Sequence, residues 1–268
     1  MKQQYTELAI SADAAEQEKL IALLSDYNPT GFEEKDDELL VYFESGIDLK
    51  QMDSILEGKQ YRLNTLEEKN WNEEWERNFS PVVVDEFCAI RASFHPSQKN
   101  VQHEIVITPK MSFGTGHHAT TYMMVQQMQH LDLEGKTVFD FGTGTGILAI
   151  LAEKLGAKDV VAIDTDPWSI ENATENAQNN NCSHIHLAET SILPHRVFDI
   201  ILANINRNVL LQYAGELKSI VAGKGYLLLS GLLQEDEEVI VSSFSNAFRL
   251  IKKEKRNNWI SLLFQNNQ

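Results

Sequence analysis

The stretch Asp140-Phe141-Gly142-Thr143-Gly144-Thr145-Gly146 decides the fold of this chain. An apolar, strand-like segment runs into it, and a helical pattern begins directly after it at Ile147. Glycine permits a sharp backbone turn and leaves no Cβ in the way of a ligand. Because open α/β sheets bind ligands beyond the carboxyl ends of their strands, we expect Asp140, Gly142 and Gly144 to line a ligand site.

The glycine spacing separates this loop from the common phosphate-binding loops. Its pattern is GxGxG, with Ile147 where a dinucleotide fingerprint has its third glycine. The loop contains no Lys or Arg, and no Gly-Lys-Ser/Thr follows it, which weakens a phosphate-binding interpretation. The carboxylate of Asp140 suits a ligand with positive charge, such as one that carries an ammonium and a sulfonium.

A second acidic residue supports nucleoside binding. Asp164 ends the next apolar segment, 22 residues after Gly142, where a carboxylate accepts hydrogen bonds from ribose hydroxyls. Sites for NAD and for S-adenosylmethionine share this feature, so Asp164 alone does not separate them. Asp166 stands directly before Pro167, and we expect it to cap a helix rather than to bind a ligand.

The chain divides into parts with different patterns. From residue 136 onward, apolar segments alternate with helical patterns, which predicts an α/β domain over residues 81–268 with a doubly wound, Rossmann-like parallel sheet. Residues 1–66 follow the order β-α-β-β-α-β of a ferredoxin-like α+β domain, with Ser11 as the predicted cap of its first helix. Residues 67–80 predict a linker helix whose aromatic face packs between the domains or contacts substrate.

Two further segments carry polar candidates. The fourth predicted strand of the sheet ends at Asn204, whose amide we expect to point into the ligand crevice and to hold both cofactor and nucleophile. Residues 111–121 combine glycines with the adjacent His117 and His118. No other His, Cys or carboxylate stands at ligand spacing, so we expect no metal site. A loop that covers the cofactor is favoured over a plain surface turn.

Composition narrows the function. The formal net charge of −16 argues against a nucleic-acid binder and fits a basic partner, although acidity also serves solubility alone. Residues 1–65 contain 14 acidic and 6 basic side chains and no catalytic constellation, which favours a recognition or structural role. Cys88 and Cys182 are distant in sequence and predict free thiols. No secretory signal or membrane-spanning segment is evident, and we expect a cytoplasmic protein.

Several segments together resemble the bacterial methyltransferase family that modifies ribosomal protein L11 of the large subunit. They are residues 70–81, 113–121, 140–150, 164–167 and 203–205. The resemblance extends over essentially the whole chain. Residues 113–121 separate this family from other methyltransferases with the same glycine-rich turn.

The resemblance implies that the cofactor is S-adenosylmethionine and that the acceptors are lysine ε-amines and the N-terminal α-amine of ribosomal protein L11. It also implies an N-terminal recognition domain, a linker and a catalytic domain, in what we expect to be a monomer. The family's cofactor positions fall on Thr121, Gly142, Asp164 and Asn204, and we expect Phe113 to contact the cofactor as well. Asn204 is also expected to orient the amine as the catalytic residue.

The residues after Asn204 bear on the acceptor. Methyltransferases that act on adenine or on glutamine amides resemble one another in carrying Asn-Pro-Pro-aromatic here, whereas this chain has Asn204-Ile205-Asn206-Arg207. The difference argues against those acceptors. The L11 family often has Asn-Ile-Leu-Ala, so the acceptor contacts follow less directly than the cofactor contacts. The alternative is methylation of another protein or of a small-molecule amine, and the separate acidic N-terminal domain opposes the small molecule.

Overall fold

The computed structural model describes residues 4–44, 49–67, 80–110 and 116–268. The chain divides into two compact units, Met1–Phe79 and Ser80–Gln268. The predicted linker helix of residues 67–80, with Trp71, Trp75 and Phe79, lies almost entirely outside the described residues.

The N-terminal unit is an antiparallel sheet with helices in two of its connections. Its elements are β1 (Gln4–Ser11), α1 (Ala14–Leu24), β2 (Gly31–Lys35), β3 (Glu38–Glu44), α2 (Asp53–Leu56) and β4 (Tyr61–Glu67), with 3-10 helices at Ser25–Tyr27 and Leu49–Met52. The strands lie in the order β2-β3-β1-β4, and every neighbouring pair is antiparallel. This order of elements is that of a ferredoxin-like domain, as predicted.

The start of α1 differs from the prediction. Asp13 caps the helix, because its side chain accepts a hydrogen bond of 2.9 Å from Glu16 N. The prediction of Ser11 as the cap was wrong, since Ser11 still belongs to β1 and its N–H donates to Gln60 O at 2.9 Å. Strand pairing therefore extends to Ser11, and the helix begins three residues later.

The C-terminal unit contains two sheets. Its strands are β5 (Val82–Val84), β6 (Cys88–Ala92), β7 (His103–Ile107), β8 (Thr137–Phe141), β9 (Asp159–Asp164), β10 (Ile185–Glu189), β11 (Phe198–Asn204), β12 (Val221–Leu233), β13 (Phe248–Arg256) and β14 (Trp259–Asn266). Its helices are α3 (Ala119–Met128), α4 (Ile147–Lys154), α5 (Pro167–Asn179), α6 (Arg207–Ser219) and α7 (Glu237–Phe244), with a 3-10 helix at Gln234–Asp236.

The larger sheet has the strand order β10-β9-β8-β11-β12-β14-β13. Strands β8 to β12 are parallel, and β14 is antiparallel to both of its neighbours. The chain passes outward from β8 to β10 and then returns to the other side of β8 with β11. The strand order therefore reverses between β8 and β11, and such a switch point is where doubly wound sheets bind ligands.

Both faces of the central strands are covered. In β8, the consecutive residues Val138, Phe139 and Asp140 have no exposed surface, and successive residues of a strand point to opposite faces. A sheet buried on both faces is typical of α/β proteins and confirms the predicted fold class of this unit.

In the part of the chain that the structure describes, every helix is too short or too polar to span a bilayer.

The smaller sheet has the order β5-β6-β7. Strands β5 and β6 are antiparallel, and β6 and β7 are parallel. Strand β7 is an edge strand, and an edge strand leaves a row of backbone groups to be satisfied by other partners.

Candidate active site

The register of the central strands brings three predicted site positions to one edge of the large sheet. Phe141, the last residue of β8, pairs with Ile163 of β9 and with Ala203 of β11. The next residues along the three strands are Gly142, Asp164 and Asn204. Because neighbouring strands lie roughly 4.8 Å apart, these positions are side by side at the switch point.

The glycine loop folds back onto β9. The N–H groups of Gly142 and Thr143 both donate to Ile163 O at 2.9 Å. Gly142 has a φ of +75°, and a Cβ there would lie 2.3 Å from Ile205 Cγ2. Glycine at 142 is therefore required by the neighbouring strand end as well as by the turn, a reason that the sequence motif alone does not reveal.

Asp164 fixes the loop from the side. Its Oδ2 atom accepts from Gly144 N at 2.9 Å, and its Oδ1 atom accepts from Asp166 N at 3.1 Å. Burial raises the pKa of the Asp164 carboxyl, while these backbone hydrogen bonds oppose the rise. Each carboxylate oxygen has a second lone pair, so Asp164 retains the capacity to accept hydrogen bonds from a ribose.

Asp140 lies beneath the loop and has no exposed surface. Its Oδ2 atom accepts a hydrogen bond of 2.7 Å from the Thr143 hydroxyl. Its Oδ1 atom is buried and has no hydrogen-bond partner among the described residues. Burial raises the pKa of Asp140 to about 7, against the opposing effects of the Thr143 hydroxyl and of the nearby backbone N–H of Ala149, which lies too far or at too poor an angle to count as a hydrogen bond to Oδ1. A cationic ligand nearby would favour the ionised carboxylate.

The amide of Asn204 is oriented by helix α3. Its Nδ2 atom donates to Thr121 Oγ1 at 3.3 Å, and Thr121 is 2% exposed. Asn204 Oδ1 is buried and has no hydrogen-bond partner in the part of the chain that the structure describes. An unsatisfied buried oxygen costs about 1–3 kcal/mol. A ligand with an N–H group would recover this cost.

His118 belongs to the start of α3. It is the N-cap, and its Nδ1 atom lies 2.7 Å from Thr120 Oγ1. Burial lowers the pKa of His118 to about 4, so the imidazole is neutral near pH 7 and packs edge-on against Trp259 at 4.5 Å between ring centroids. His118 thus fixes the start of α3 and helps to place Thr121, three residues further along the chain.

Phe113 lies outside the described residues, so its predicted cofactor contact stays a prediction. Within residues 4–44, 49–67, 80–110 and 116–268, no group of three or more His, Cys, Asp or Glu residues is arranged to hold a metal ion.

The structure also assigns roles to residues around the strand ends. Asp166 caps α5 by accepting from Trp168 N at 3.2 Å and Ser169 N at 3.1 Å, as predicted. The sequence leaves the role of Asn206 open. In the structure Asn206 caps α6, because its side chain accepts a hydrogen bond of 3.0 Å from Val209 N. The cap position explains why Asn is suited to residue 206 without any contact to an acceptor.

Arg207 follows this cap and forms an ion pair with a buried partner. Its Nη1 atom lies 2.9 Å from Asp236 Oδ1, and Asp236 Oδ2 accepts from Leu233 N at 2.8 Å. The pair joins the start of α6 to the 3-10 helix that follows β12. Sequence reasoning missed it because no spacing rule links positions 207 and 236.

Comparison with known proteins identifies the family of this chain. The family model described as ribosomal protein L11 methyltransferase (PrmA) matches residues 29–267. A ribosomal protein L11 methyltransferase of Porphyromonas gingivalis is 43% identical over 210 residues, which cover 76% of this chain and 72% of the relative. One of Chlorobaculum tepidum is 35% identical over 279 aligned positions, with 97% of this chain and 96% of the relative covered.

A solved structure has the same catalytic fold. The ribosomal protein L11 methylase of Lactobacillus delbrueckii subsp. bulgaricus matches with a TM-score of 0.66 and 31% identity, covering 71% of this chain and 99% of that chain. This chain is therefore an S-adenosylmethionine-dependent methyltransferase. More narrowly, it belongs to the ribosomal protein L11 methyltransferase family.

Proposed function

We propose that this chain transfers methyl groups from S-adenosylmethionine to lysine ε-amines and to the N-terminal α-amine of ribosomal protein L11. The observation that supports the proposal most strongly is the amide of Asn204. Thr121 holds its nitrogen, and its buried oxygen is left without a partner among the described residues. An oxygen held in this way accepts a hydrogen bond from an amine that approaches the strand end.

The residues around the glycine loop fit this cofactor. S-adenosylmethionine carries a sulfonium and an ammonium, and Asp140 offers a buried oxygen with no hydrogen-bond partner among the described residues. Asp164 lies beside Gly144 and keeps lone pairs for the ribose hydroxyls. In the proposal, Thr121, Gly142 and Gly144 complete this surface. Bound there, the cofactor supplies an electrophilic methyl group.

The chemistry requires orientation and a neutral amine. A lysine with a pKa of about 10.4 is neutral in only about one of 2,500 molecules at pH 7, which costs roughly 4–5 kcal/mol. Burial next to a sulfonium lowers that pKa. Alignment of the nitrogen with the methyl group contributes several kcal/mol more. The proposal therefore assigns orientation of the amine to Asn204 and needs no dedicated general base.

The charge of the chain supports a basic protein as acceptor. The formal net charge is −16, and residues 1–65 carry 14 acidic and 6 basic side chains. A surface with this balance attracts a basic partner and repels nucleic acid. The proposal assigns substrate recognition to residues 1–66 and catalysis to residues 81–268. It describes a cytoplasmic monomer that contacts neither nucleic acid nor a membrane directly.

Asn204→Ala tests the proposed site. This substitution removes the amide oxygen that orients the amine, so we expect kcat to fall by about 100-fold. The Kd for S-adenosylmethionine, measured by calorimetry, should change by less than about five-fold. Equal losses in kcat and affinity would contradict the orienting role, as would an unchanged kcat.

Asn206→Ala is the matched control, two residues away. Asn206 caps α6 and makes no contact with Thr121 or the glycine loop in the described hydrogen bonds. Its loss should reduce the free energy of unfolding by about 1 kcal/mol. We expect kcat to stay within about two-fold of the unsubstituted enzyme, which separates loss of stability from loss of orientation.

A further inference from the structure

Three asparagines form a stripe along one side of α5 and its C-cap residue. They are Asn172, Asn176 and Asn180, spaced at i, i+4 and i+8, and all three are buried. Residues spaced by four share one face of a helix. Buried amides must find partners, because an unpaired one costs about 1–3 kcal/mol. The partners lie on the edge strand β7, on the residue that follows it, and in the glycine loop.

Asn180 binds the edge of the small sheet. Its Oδ1 atom accepts from Val106 N at 2.9 Å, and its Nδ2 atom donates to Val106 O at 2.6 Å. Nδ2 also donates to Asn176 O at 2.8 Å, within the helix. Asn180 therefore pairs with both backbone groups of Val106, and among the described residues none of its side-chain hydrogen bonds reaches the glycine loop.

Asn176 binds the residue that follows β7 and the glycine loop at once. Its Oδ1 atom accepts from Thr108 N at 2.7 Å. Its Nδ2 atom donates to Thr145 O at 2.8 Å and to Asn172 Oδ1 at 2.8 Å. Thr145 is 1% exposed, so this bond lies in the interior of the fold.

The acceptor bond and the donor bonds depend on each other. Thr108 N is a donor, so it requires the amide oxygen on its side, and this leaves the amide nitrogen facing Thr145 O. Thr108 thereby determines on which side the oxygen and the nitrogen of the Asn176 amide lie. The Asn176 nitrogen in turn holds the carbonyl of Thr145, which stands between Gly144 and Gly146 in the loop.

We infer that Asn176 is a positioning residue for the methyl-donor site, because it holds the glycine loop in its binding conformation through Thr145 O. This inference rests on the proposed function of that loop. A loop that is ordered before the ligand arrives does not have to be ordered at the expense of binding energy. Loss of the bond therefore weakens binding of the cofactor as well as stability.

Asn176→Ala and Asn180→Ala form the test pair in the full chain. Both remove buried amide bonds to the Val106–Thr108 region, and only the first removes a bond to the loop. We expect Asn176→Ala to raise the Kd for S-adenosylmethionine by about ten-fold, measured by calorimetry. Asn180→Ala should lower the melting temperature comparably and leave the Kd within about two-fold. Asn176→Ser, a milder change, keeps the comparison possible if the alanine variant does not fold.

Hydrogen exchange supplies a second readout that a purely structural role would not move. In the folded Asn176 variant, the amides of Gly144 and Gly146 should exchange faster, whereas in Asn180→Ala they should not. Equal changes in Kd at equal losses of stability would overturn the inference, as would an unchanged Kd in the Asn176 variant. Failure of the unsubstituted chain to bind S-adenosylmethionine would overturn the proposed function and this inference with it.

Discussion

Gly142→Ala is expected to act through Ile205. A Cβ at residue 142 would lie 2.3 Å from Ile205 Cγ2 and 3.8 Å from Ile205 Cβ. Carbon atoms in contact lie about 3.5–4.0 Å apart, so only the first distance is a clash. The Ile205 backbone is itself packed closely, because a Cβ at Gly231 would lie 2.3 Å from Ile205 O.

The magnitude has two parts. A non-glycine residue at a φ of +75° costs about 1–2 kcal/mol. An overpacked side chain costs about 1–3 kcal/mol more. Gly142→Ala should therefore lower the free energy of unfolding by about 2–5 kcal/mol. Because Ile205→Ala removes Cγ2 and leaves the contact of 3.8 Å, the double variant should keep only the backbone strain and the cost of the shortened side chain.

Urea unfolding of the original enzyme, the two single variants and the double variant measures this coupling. If the two single effects simply added, they would predict one value for the free energy of unfolding of the double variant. We expect the measured value to be higher than that by about 1–3 kcal/mol. Asn204 directly precedes Ile205, so kcat should fall in Gly142→Ala and recover in part in the double variant. Effects that add within about 0.5 kcal/mol would refute the steric explanation.

Two other predictions concern charge and substrate. The pKa of Asp140 is raised to about 7. Between about pH 4 and pH 7 the folded protein therefore binds more protons than the unfolded chain. The contribution of Asp140 to the free energy of unfolding falls as the pH rises through that window. A cationic cofactor favours the carboxylate, so affinity for S-adenosylmethionine should rise about five-fold from pH 6 to pH 7; the same slope in Asp140→Asn would exclude Asp140 as its source. A chain truncated to begin near residue 69 should bind S-adenosylmethionine but not methylate ribosomal protein L11, and full activity of that fragment would refute the recognition role of the N-terminal domain.

The order of elements followed from local patterns in the sequence. The alternation after residue 136 and the glycine loop predicted the doubly wound sheet, and the apolar patterns correctly placed Asp164 and Asn204 at the ends of strands. Asp166 was predicted as a cap from its place before Pro167, and the structure confirms it. These predictions succeeded because strand ends and caps depend on neighbours in the sequence.

The features that sequence reasoning missed depend on contacts between distant segments. The need for glycine at 142 comes partly from Ile205, and the orientation of the Asn176 amide comes from Thr108. The partners of Asn176 and Asn180 were also missed, because Val106, Thr108 and Thr145 are distant from them in the sequence. The prediction of Ser11 as a cap was wrong because Ser11 still pairs with Glu38 as the last residue of β1.

Transfer of labelled methyl groups to a mixture of ribosomal proteins tests the central claim most directly. The purified chain is incubated with labelled S-adenosylmethionine and the unmodified mixture, and the labelled sites are mapped by mass spectrometry. The account predicts label on lysine ε-amines and the N-terminal α-amine of ribosomal protein L11, and a loss of label with Asn204→Ala. Label on a different protein, on ribosomal RNA or on small amines alone would contradict it.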